Sequence, residues 1–154
     1  MNFYKQPVSV LVVIHTMDMD VLLLERADNP GYWQSVTGSC EAGEAPAETV
    51  LREVYEETGL DAGQYELTDW HKQNIYEIYP QWRHRYFPGI TLNTEHVFGL
   101  RLPHPVEIRL APLEHLNCQW LAWQDAAELV FSPSNRDAIL QLKSRYHFEN
   151  CSKH

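Results

Sequence analysis

Positive charge is scarce in this sequence. Twelve Lys and Arg residues stand against 21 Asp and Glu residues, and the 154-residue chain has a formal net charge of -9. Sequence-independent binding of nucleic acid requires clustered Lys and Arg that displace counterions from phosphates, so we expect no nucleic-acid partner. An acidic protein that handles a polyphosphate usually needs a divalent cation to screen the two negative partners from each other.

Cysteines and long apolar runs are also scarce. Cys40, Cys118 and Cys151 are odd in number and show no C-x-x-C spacing, so we expect neither a disulfide framework nor a cysteine zinc site. A reducing cytoplasm is the expected setting. The apolar run from Val8 to Ile14 lacks a small-residue cleavage pattern and is too short to span a membrane, so we predict a buried strand and no membrane partner.

The remaining composition is typical of a folded domain. Hydrophobic residues make up 44% of the chain, enough to bury a core, and we expect a single domain over residues 1–154. Strands are predicted at residues 7–15, 21–25, 65–79, 94–102 and 118–121, and helices at 46–58, 125–130 and 135 to about 148. Ser134 is a plausible cap for the last helix. This order predicts an α/β fold in which a mixed β-sheet is sandwiched between α-helices.

The centre of the chain carries a long motif with fixed spacing. It has the form G-x5-E-x7-R-E-V-x-E-E-x-G-L, and its fixed positions are Gly38, Glu44, Arg52, Glu53, Glu56, Glu57 and Gly59. Proline suits the first turn of a helix and glycine commonly follows its last turn, so Pro46 and Gly59 predict where the helix inside the motif begins and ends.

Three carboxylates on that helix predict a metal site. Glu53, Glu56 and Glu57 are related by i, i+3 and i+4, so their like charges lie on one face and repel each other unless a cation is bound. The set contains neither the histidine nor the thiolate that zinc prefers, and hard carboxylate oxygens suit magnesium or manganese. A glutamate-rich helix face is, on its own, usually a solvated surface, but here the whole motif has the required spacing.

These positions resemble the signature of the Nudix hydrolase family. The resemblance implies a three-layer α/β/α sandwich and a magnesium ion held by the motif glutamates and by the carbonyl of Thr37 or Gly38, with manganese as a possible substitute. It also implies that water attacks a phosphorus of a diphosphate linked to an organic group. Glu44 and Arg52 are placed to form an ion pair that ties the loop to the helix, and Gly38 to allow a tight loop.

A closer resemblance extends beyond the motif. Segments 7–14, 32–39, 84–91, 93–95, 114–116, 120–121 and 134–139 are similar to those of the bacterial dihydroneopterin triphosphate diphosphatases. Members of that family remove diphosphate from a pterin triphosphate of folate biosynthesis and leave the monophosphate. The resemblance therefore implies a pterin-linked triphosphate as substrate.

Residues outside the motif are candidates for binding this substrate. Arginine pairs well with phosphate oxygens and histidine can donate to them, although a solvated surface role is about as common; the candidates are Arg26, Arg83, His84, Arg85 and Arg136. Trp33 could stack on a pterin ring or fill the core. Gln34 offers a donor and an acceptor to a heterocycle edge.

One further carboxylate outside the motif is expected to be functional. Many Nudix members place an additional metal ligand or general base in the connection before a late strand, so the resemblance implies that role for Glu114. Glu95 is a weaker candidate, because it could lie on the solvent-facing side of its strand.

Two other functions are compatible with the motif. A hydrolase of ordinary or damaged nucleoside triphosphates would share every motif residue and would differ only in the pocket that contacts the base. A non-catalytic module that senses a nucleotide would be expected to lack a motif carboxylate, and none is missing here. The sequence makes no prediction of the oligomeric state.

Overall fold

A computed structural model describes residues 4–146 of the chain. Cys151 and the end of the last predicted helix lie outside these residues. The described residues contain seven strands: β1 (Val8–Thr16), β2 (Asp20–Arg26), β3 (Trp33–Gln34), β4 (Val36–Ser39), β5 (Glu66–Glu77), β6 (Leu92–Leu102) and β7 (His115–Ala122). The α-helices with bounds inside residues 4–146 are α1 (Pro46–Thr58), α2 (Trp123–Leu129) and α3 (Pro133–Leu140), and residues 142–146 are also helical. Short 3₁₀ helices cover Ala62–Gln64 and Pro80–Arg85.

The strands form a mixed sheet in which β1 is central. One edge of β1 pairs in parallel with β6, which pairs with antiparallel β5 beyond it. The other edge pairs with antiparallel β4 and meets β2 at a single position, where His15 lies opposite Val21. β2 in turn pairs with β7 and β3. Because β1 and β2 share so little pairing, they diverge, and the segment of β3 and β4 bridges the opening.

Helices cover both faces of this sheet. Successive side chains of a strand point to opposite faces, and in β1 the even positions Val10, Val12 and Ile14 pack with Val50 and Val54 of α1. The odd positions Leu11 and Val13 pack with apolar residues of α2 and α3, among them Ala126, Ala127, Ala138 and Ile139. The predicted mixed sheet between helical layers is confirmed.

Helix α1 has the predicted bounds, and local chemistry explains both ends. Pro46 occupies the first turn, where no backbone N–H is needed. The carboxylate of Glu48 accepts a hydrogen bond of 2.9 Å from the backbone N–H of Ala45. Gly59 follows the last turn with φ 78°, a left-handed conformation that suits glycine, and its N–H donates to the carbonyl of Tyr55.

Two local expectations differ from the structure. The cap of α3 is Ser132, whose hydroxyl accepts a hydrogen bond from the N–H of Asn135; the predicted cap Ser134 lies inside the first turn. No strand was predicted between residues 26 and 64, but Trp33–Gln34 and Val36–Ser39 form strands β3 and β4. Within residues 4–146, no helix is long and apolar enough to cross a bilayer.

Candidate active site

The three motif glutamates of α1 differ sharply in burial. Glu57 is 2% exposed, whereas the side chains of Glu53 and Glu56 are 13% and 50% exposed. Positions 53 and 57 therefore face the interior of a large cavity, and Glu56 lies at its rim. The cavity has a volume of about 960 Å³ and is lined by residues of α1, of the sheet and of the loops around them.

Glu57 meets two residues from the start of β7. Carboxylate oxygens of Glu57 and Glu114 and a ring nitrogen of His115 all lie within 4.8 Å of one another, and Nε2 of His115 is 3.2 Å from Oε1 of Glu57. The expectation that the site contains no histidine is therefore wrong. His115 is 58 residues away in sequence, and the only signal for it was its place beside Glu114 in a segment of the closer resemblance.

Burial and like charges make this cluster a fit for a cation. The buried Oε2 of Glu57 has no hydrogen-bond partner among residues 4–146. Burial first, and then the charges of Glu53 and Glu114, raise the pKa of Glu57 well above its usual value. Burial also raises the pKa of Glu53. A divalent ion bound to these oxygens would relieve both the desolvation and the repulsion.

The imidazole of His115 is neutral at physiological pH. Burial, together with the positive charge of Arg26, lowers the pKa of His115 to about 4. A neutral imidazole carries one N–H and one free nitrogen, and an N–H on Nε2 would donate to Oε1 of Glu57. The nitrogen Nδ1 is buried and has no hydrogen-bond partner in the part of the chain that is described.

The predicted ion pair between Arg52 and Glu44 is present. Nε and Nη2 of Arg52 donate to the two carboxylate oxygens of Glu44 at 2.9 and 2.8 Å, and Nη2 also donates to the carbonyl of Ser39 at 3.0 Å. These contacts, chiefly the hydrogen bonds from Arg52, lower the pKa of Glu44 to about 2. Nη1 of the same guanidinium donates to Glu53 at 2.7 Å, so the pair that ties the loop to α1 also orients a candidate metal ligand.

Gly38 is required because it lies against Glu53. A Cβ atom built on Gly38 would overlap the carboxyl carbon of Glu53, so any side chain here would push that carboxylate away. This is a requirement for space, and it agrees with the expectation of a close approach by the loop. Cys40, two residues later, is 6% exposed and packs with the apolar residues under α1.

The opposite side of the cavity carries positive charge. Nε and Nη2 of Arg26 each donate to a carboxylate oxygen of Asp28 at 2.7 Å, and Nη1 donates to Oε1 of Gln34 at 2.9 Å. Nη2 of Arg85 donates to Asp28 at 2.9 Å. Hydrogen bonds from Arg26, partly offset by desolvation, lower the pKa of Asp28 to about 2, so a single carboxylate holds both guanidinium groups at the cavity.

Four of the predicted substrate-binding residues are not in the lining of the cavity. The ring of Trp33 packs against the core under α2 and α3. Arg83 donates to the carbonyl of Ile78, and His84 and Arg136 are exposed to solvent elsewhere. The structure thus brings together Arg26, Gln34 and Arg85 with Gly38, Arg52, Glu53, Glu56, Glu57 and Glu114.

Other lining residues were missed or misjudged from the sequence. Glu95 was the weaker functional candidate because it could lie on a solvent-facing position; it is 4% exposed and lines the cavity, as does Asn93. Aromatic side chains also line the cavity, among them Tyr79, Trp82 and Phe131. These three residues come from the segment around the 3₁₀ helix Pro80–Arg85 and from the segment after α2, which meet only in the folded chain.

Known proteins resemble this chain in both sequence and structure. The NUDIX domain family matches residues 5–142. The chain is 49% identical to the dihydroneopterin triphosphate diphosphatase of Escherichia coli, over 90% of this chain and 93% of that protein. It is 41% identical to the protein of the same name from Haemophilus influenzae, over 88% and 87%. The solved structure of the E. coli dihydroneopterin triphosphate pyrophosphohydrolase superposes with a TM-score of 0.86 at 48% identity, covering 92% of this chain and 97% of that one.

Proposed function

Because this chain belongs to the Nudix family of hydrolases, we propose that it hydrolyses dihydroneopterin triphosphate to dihydroneopterin monophosphate and diphosphate in the presence of Mg²⁺. One water is consumed and the anhydride bond between the α- and β-phosphates breaks. The observation that carries the proposal is the buried Glu57 with Glu114 and His115 in a cavity whose other side presents Arg26 and Arg85. The two relatives at 49% and 41% identity carry the name of this activity.

The residues divide into two groups by charge. Glu53, Glu56, Glu57 and Glu114, with the backbone at Gly38, would hold the divalent ion. Bound there, such an ion neutralises phosphate oxygens and lowers the pKa of a water molecule. Mn²⁺ should substitute for Mg²⁺, because both are hard ions that accept oxygen ligands.

The arginines bind the phosphate chain in this proposal. The guanidinium groups of Arg26 and Arg85 are planar donors suited to phosphate oxygens, and their shared partner Asp28 fixes where they point. Glu114 or one of the α1 glutamates accepts the proton of the attacking water. Arg52 stays out of the reaction and orients Glu53.

A side-by-side turnover assay tests the substrate. Purified protein is given dihydroneopterin triphosphate, guanosine triphosphate or adenosine triphosphate with Mg²⁺, and products are separated by anion exchange. We expect kcat/KM to be at least about tenfold higher for the pterin, with diphosphate and the monophosphate as products. Faster hydrolysis of a nucleoside triphosphate would favour a nucleotide-clearing hydrolase. No hydrolysis of any of them would favour a nucleotide-sensing module.

A further inference from the structure

Two hydrogen-bond acceptors lie side by side in the cavity, on a strand that contributes nothing to the carboxylate cluster. Asn93 and Glu95 are 2% and 4% exposed, and both line the cavity from β6. Residues two apart in a strand point to the same face, about 7 Å apart. Their burial is not needed to pack the core, since apolar side chains would do that at lower cost.

The hydrogen bonds around Asn93 leave one acceptor without a partner. The amide nitrogen of Asn93 donates to the hydroxyl of Ser9 at 2.7 Å and to that of Tyr76 at 3.1 Å. Its carbonyl oxygen Oδ1 is buried and has no hydrogen-bond partner among residues 4–146. Buried polar atoms are nearly always paired in folded proteins, so an acceptor of this kind points to a ligand.

The carboxylate of Glu95 is also only partly satisfied. The amide of Asn74 donates to Oε1 of Glu95 at 3.3 Å. Burial raises the pKa of Glu95, and hydrogen bonds from the side chains of Ser134 and Asn74 lower it only in part. Further N–H donors from a bound molecule would favour the charged form of this carboxylate.

An aromatic wall stands next to these acceptors. The ring centroids of Tyr79 and Trp82 are 5.4 Å apart, and both rings lie 5.9 Å from that of Phe131. Phe131 and Ser134 belong to one segment, and both line the cavity together with Glu95, so this segment lies beside the acceptors. Aromatic side chains of this kind stack on flat heterocycles.

We propose that Asn93 and Glu95, beside the wall of Tyr79, Trp82 and Phe131, form a subsite that recognises the 2-amino-4-oxopyrimidine edge of a heterocycle. That edge places a ring N–H next to an exocyclic amino group, two adjacent donors that a carboxylate can accept together. Pterin and guanine share the edge and hypoxanthine lacks the 2-amino group, whereas adenine has neither the ring N–H nor an amino group at position 2. The inference rests on the proposed function, because it identifies the part of the same cavity that holds the organic group of the substrate.

Phosphate-free probes test the subsite separately from hydrolysis. Dissociation constants of neopterin, guanosine and inosine are measured by ligand-observed NMR for the wild type, for Glu95→Gln and for Glu128→Gln. Glu95→Gln keeps the shape of the side chain but replaces one acceptor with a donor. Glu128→Gln makes the same charge change on an exposed position of α2 and serves as the matched control.

We expect guanosine to bind about tenfold or more tightly than inosine in the wild type and in Glu128→Gln, with neopterin close to guanosine. In Glu95→Gln the preference for guanosine should fall to within about threefold, because the side chain can no longer accept from the ring N–H and the amino group together. Equal binding of guanosine and inosine by the wild type would overturn the subsite, and this comparison needs no variant. An undiminished preference for guanosine in Glu95→Gln would also overturn the subsite. The same holds if none of the three probes binds at millimolar concentration.

The outcomes also separate the subsite from the reaction. If guanosine and neopterin bind more tightly than inosine in a manner that depends on Glu95, but the protein hydrolyses no triphosphate, the subsite is supported and the proposed function is contradicted. Hydrolysis of dihydroneopterin triphosphate with the same kcat/KM in Glu95→Gln as in the wild type would support the function and remove the subsite.

Discussion

Two glycines of this chain should respond to the same substitution in opposite ways. A Cβ atom at Gly38 would lie 2.5 Å from Cγ and from Oε1 of Glu53. A Cβ atom at Gly99 would lie 2.6 Å from two atoms of the buried indole of Trp70. Carbon atoms in contact normally stand about 3.5–4.0 Å apart, so either alanine requires a displacement of about 1 Å in its neighbour.

What differs is how easily each neighbour can move. The carboxyl group of Glu53 ends a flexible side chain beside an open cavity, so it can rotate away while the fold is kept. A shift of about 1 Å in a catalytic group can cost about 100-fold in rate, and we expect Gly38→Ala to lower kcat/KM by about that factor. The unfolding free energy should change by less than about 1 kcal/mol.

The indole of Trp70 has no such freedom. It is buried between the sheet and the guanidinium of Arg145, whose central carbon lies 4.3 Å from the ring. Overpacking a core position typically costs about 1–3 kcal/mol, so Gly99→Ala should lower the unfolding free energy by that amount and leave kcat/KM of the folded protein within about twofold. Urea unfolding and steady-state hydrolysis are measured on both variants. A fully active Gly38→Ala, or a Gly99→Ala that is as stable as the wild type, would contradict this difference between the two neighbours.

Three further predictions concern titratable residues. Glu53→Gln and Glu57→Gln should each lower kcat by about 100-fold or more while the protein stays folded by circular dichroism, because each swap removes a charge that the metal needs; near-normal rates at saturating Mg²⁺ would contradict the metal assignment. Arg85→Ala should lower kcat/KM for dihydroneopterin triphosphate by about 10–100-fold, because charge-assisted hydrogen bonds to phosphate are lost. Arg83→Ala, two residues away and outside the cavity, is the control and should lower kcat/KM less than about threefold. Equal losses in the two variants would show that the cavity was assigned wrongly. Burial lowers the pKa of His15 from 6.5 to about 4, so the unfolded chain takes up a proton first as the pH falls. The stability that depends on a neutral His15 is fully present well above pH 6.5 and should fall by about 2–3 kcal/mol by pH 4.5. Urea unfolding of the wild type and of His15→Leu at pH 7.5 and 4.5 measures this difference, and a constant difference would exclude the buried neutral histidine.

Local chemistry explains which parts of the fold could be predicted. The bounds of α1 follow from Pro46 and Gly59, since proline and glycine act on the backbone whatever surrounds them. The spacing of the motif likewise predicted that Arg52 would reach Glu44. The face of β6 that carries Glu95 could not be predicted in this way, because helical layers cover both faces of the sheet and the strand shows no clean alternation.

Local periodicity could have improved the choice of substrate-binding residues. Trp33 and Gln34 are neighbours in a strand and must point to opposite faces, so only one of them, Gln34, lines the cavity. Residues three apart in a 3₁₀ helix share a face. In Pro80–Arg85, Trp82 and Arg85 are such a pair, and both line the cavity. Local periodicity could not have predicted the contact of His115 with Glu57, because this contact depends on how β7 pairs with β2 and on where α1 packs.

Binding of Mn²⁺ is the most direct test of the carboxylate cluster as a metal centre. Mn²⁺ is titrated into the wild type, Glu57→Gln and Glu128→Gln, and the free ion is measured by electron paramagnetic resonance without any substrate. Loss of a ligand charge should weaken binding by Glu57→Gln at least about tenfold relative to the wild type, and Glu128→Gln should bind as the wild type does. Equal affinity in all three proteins would contradict the assignment of Glu57 to a metal centre.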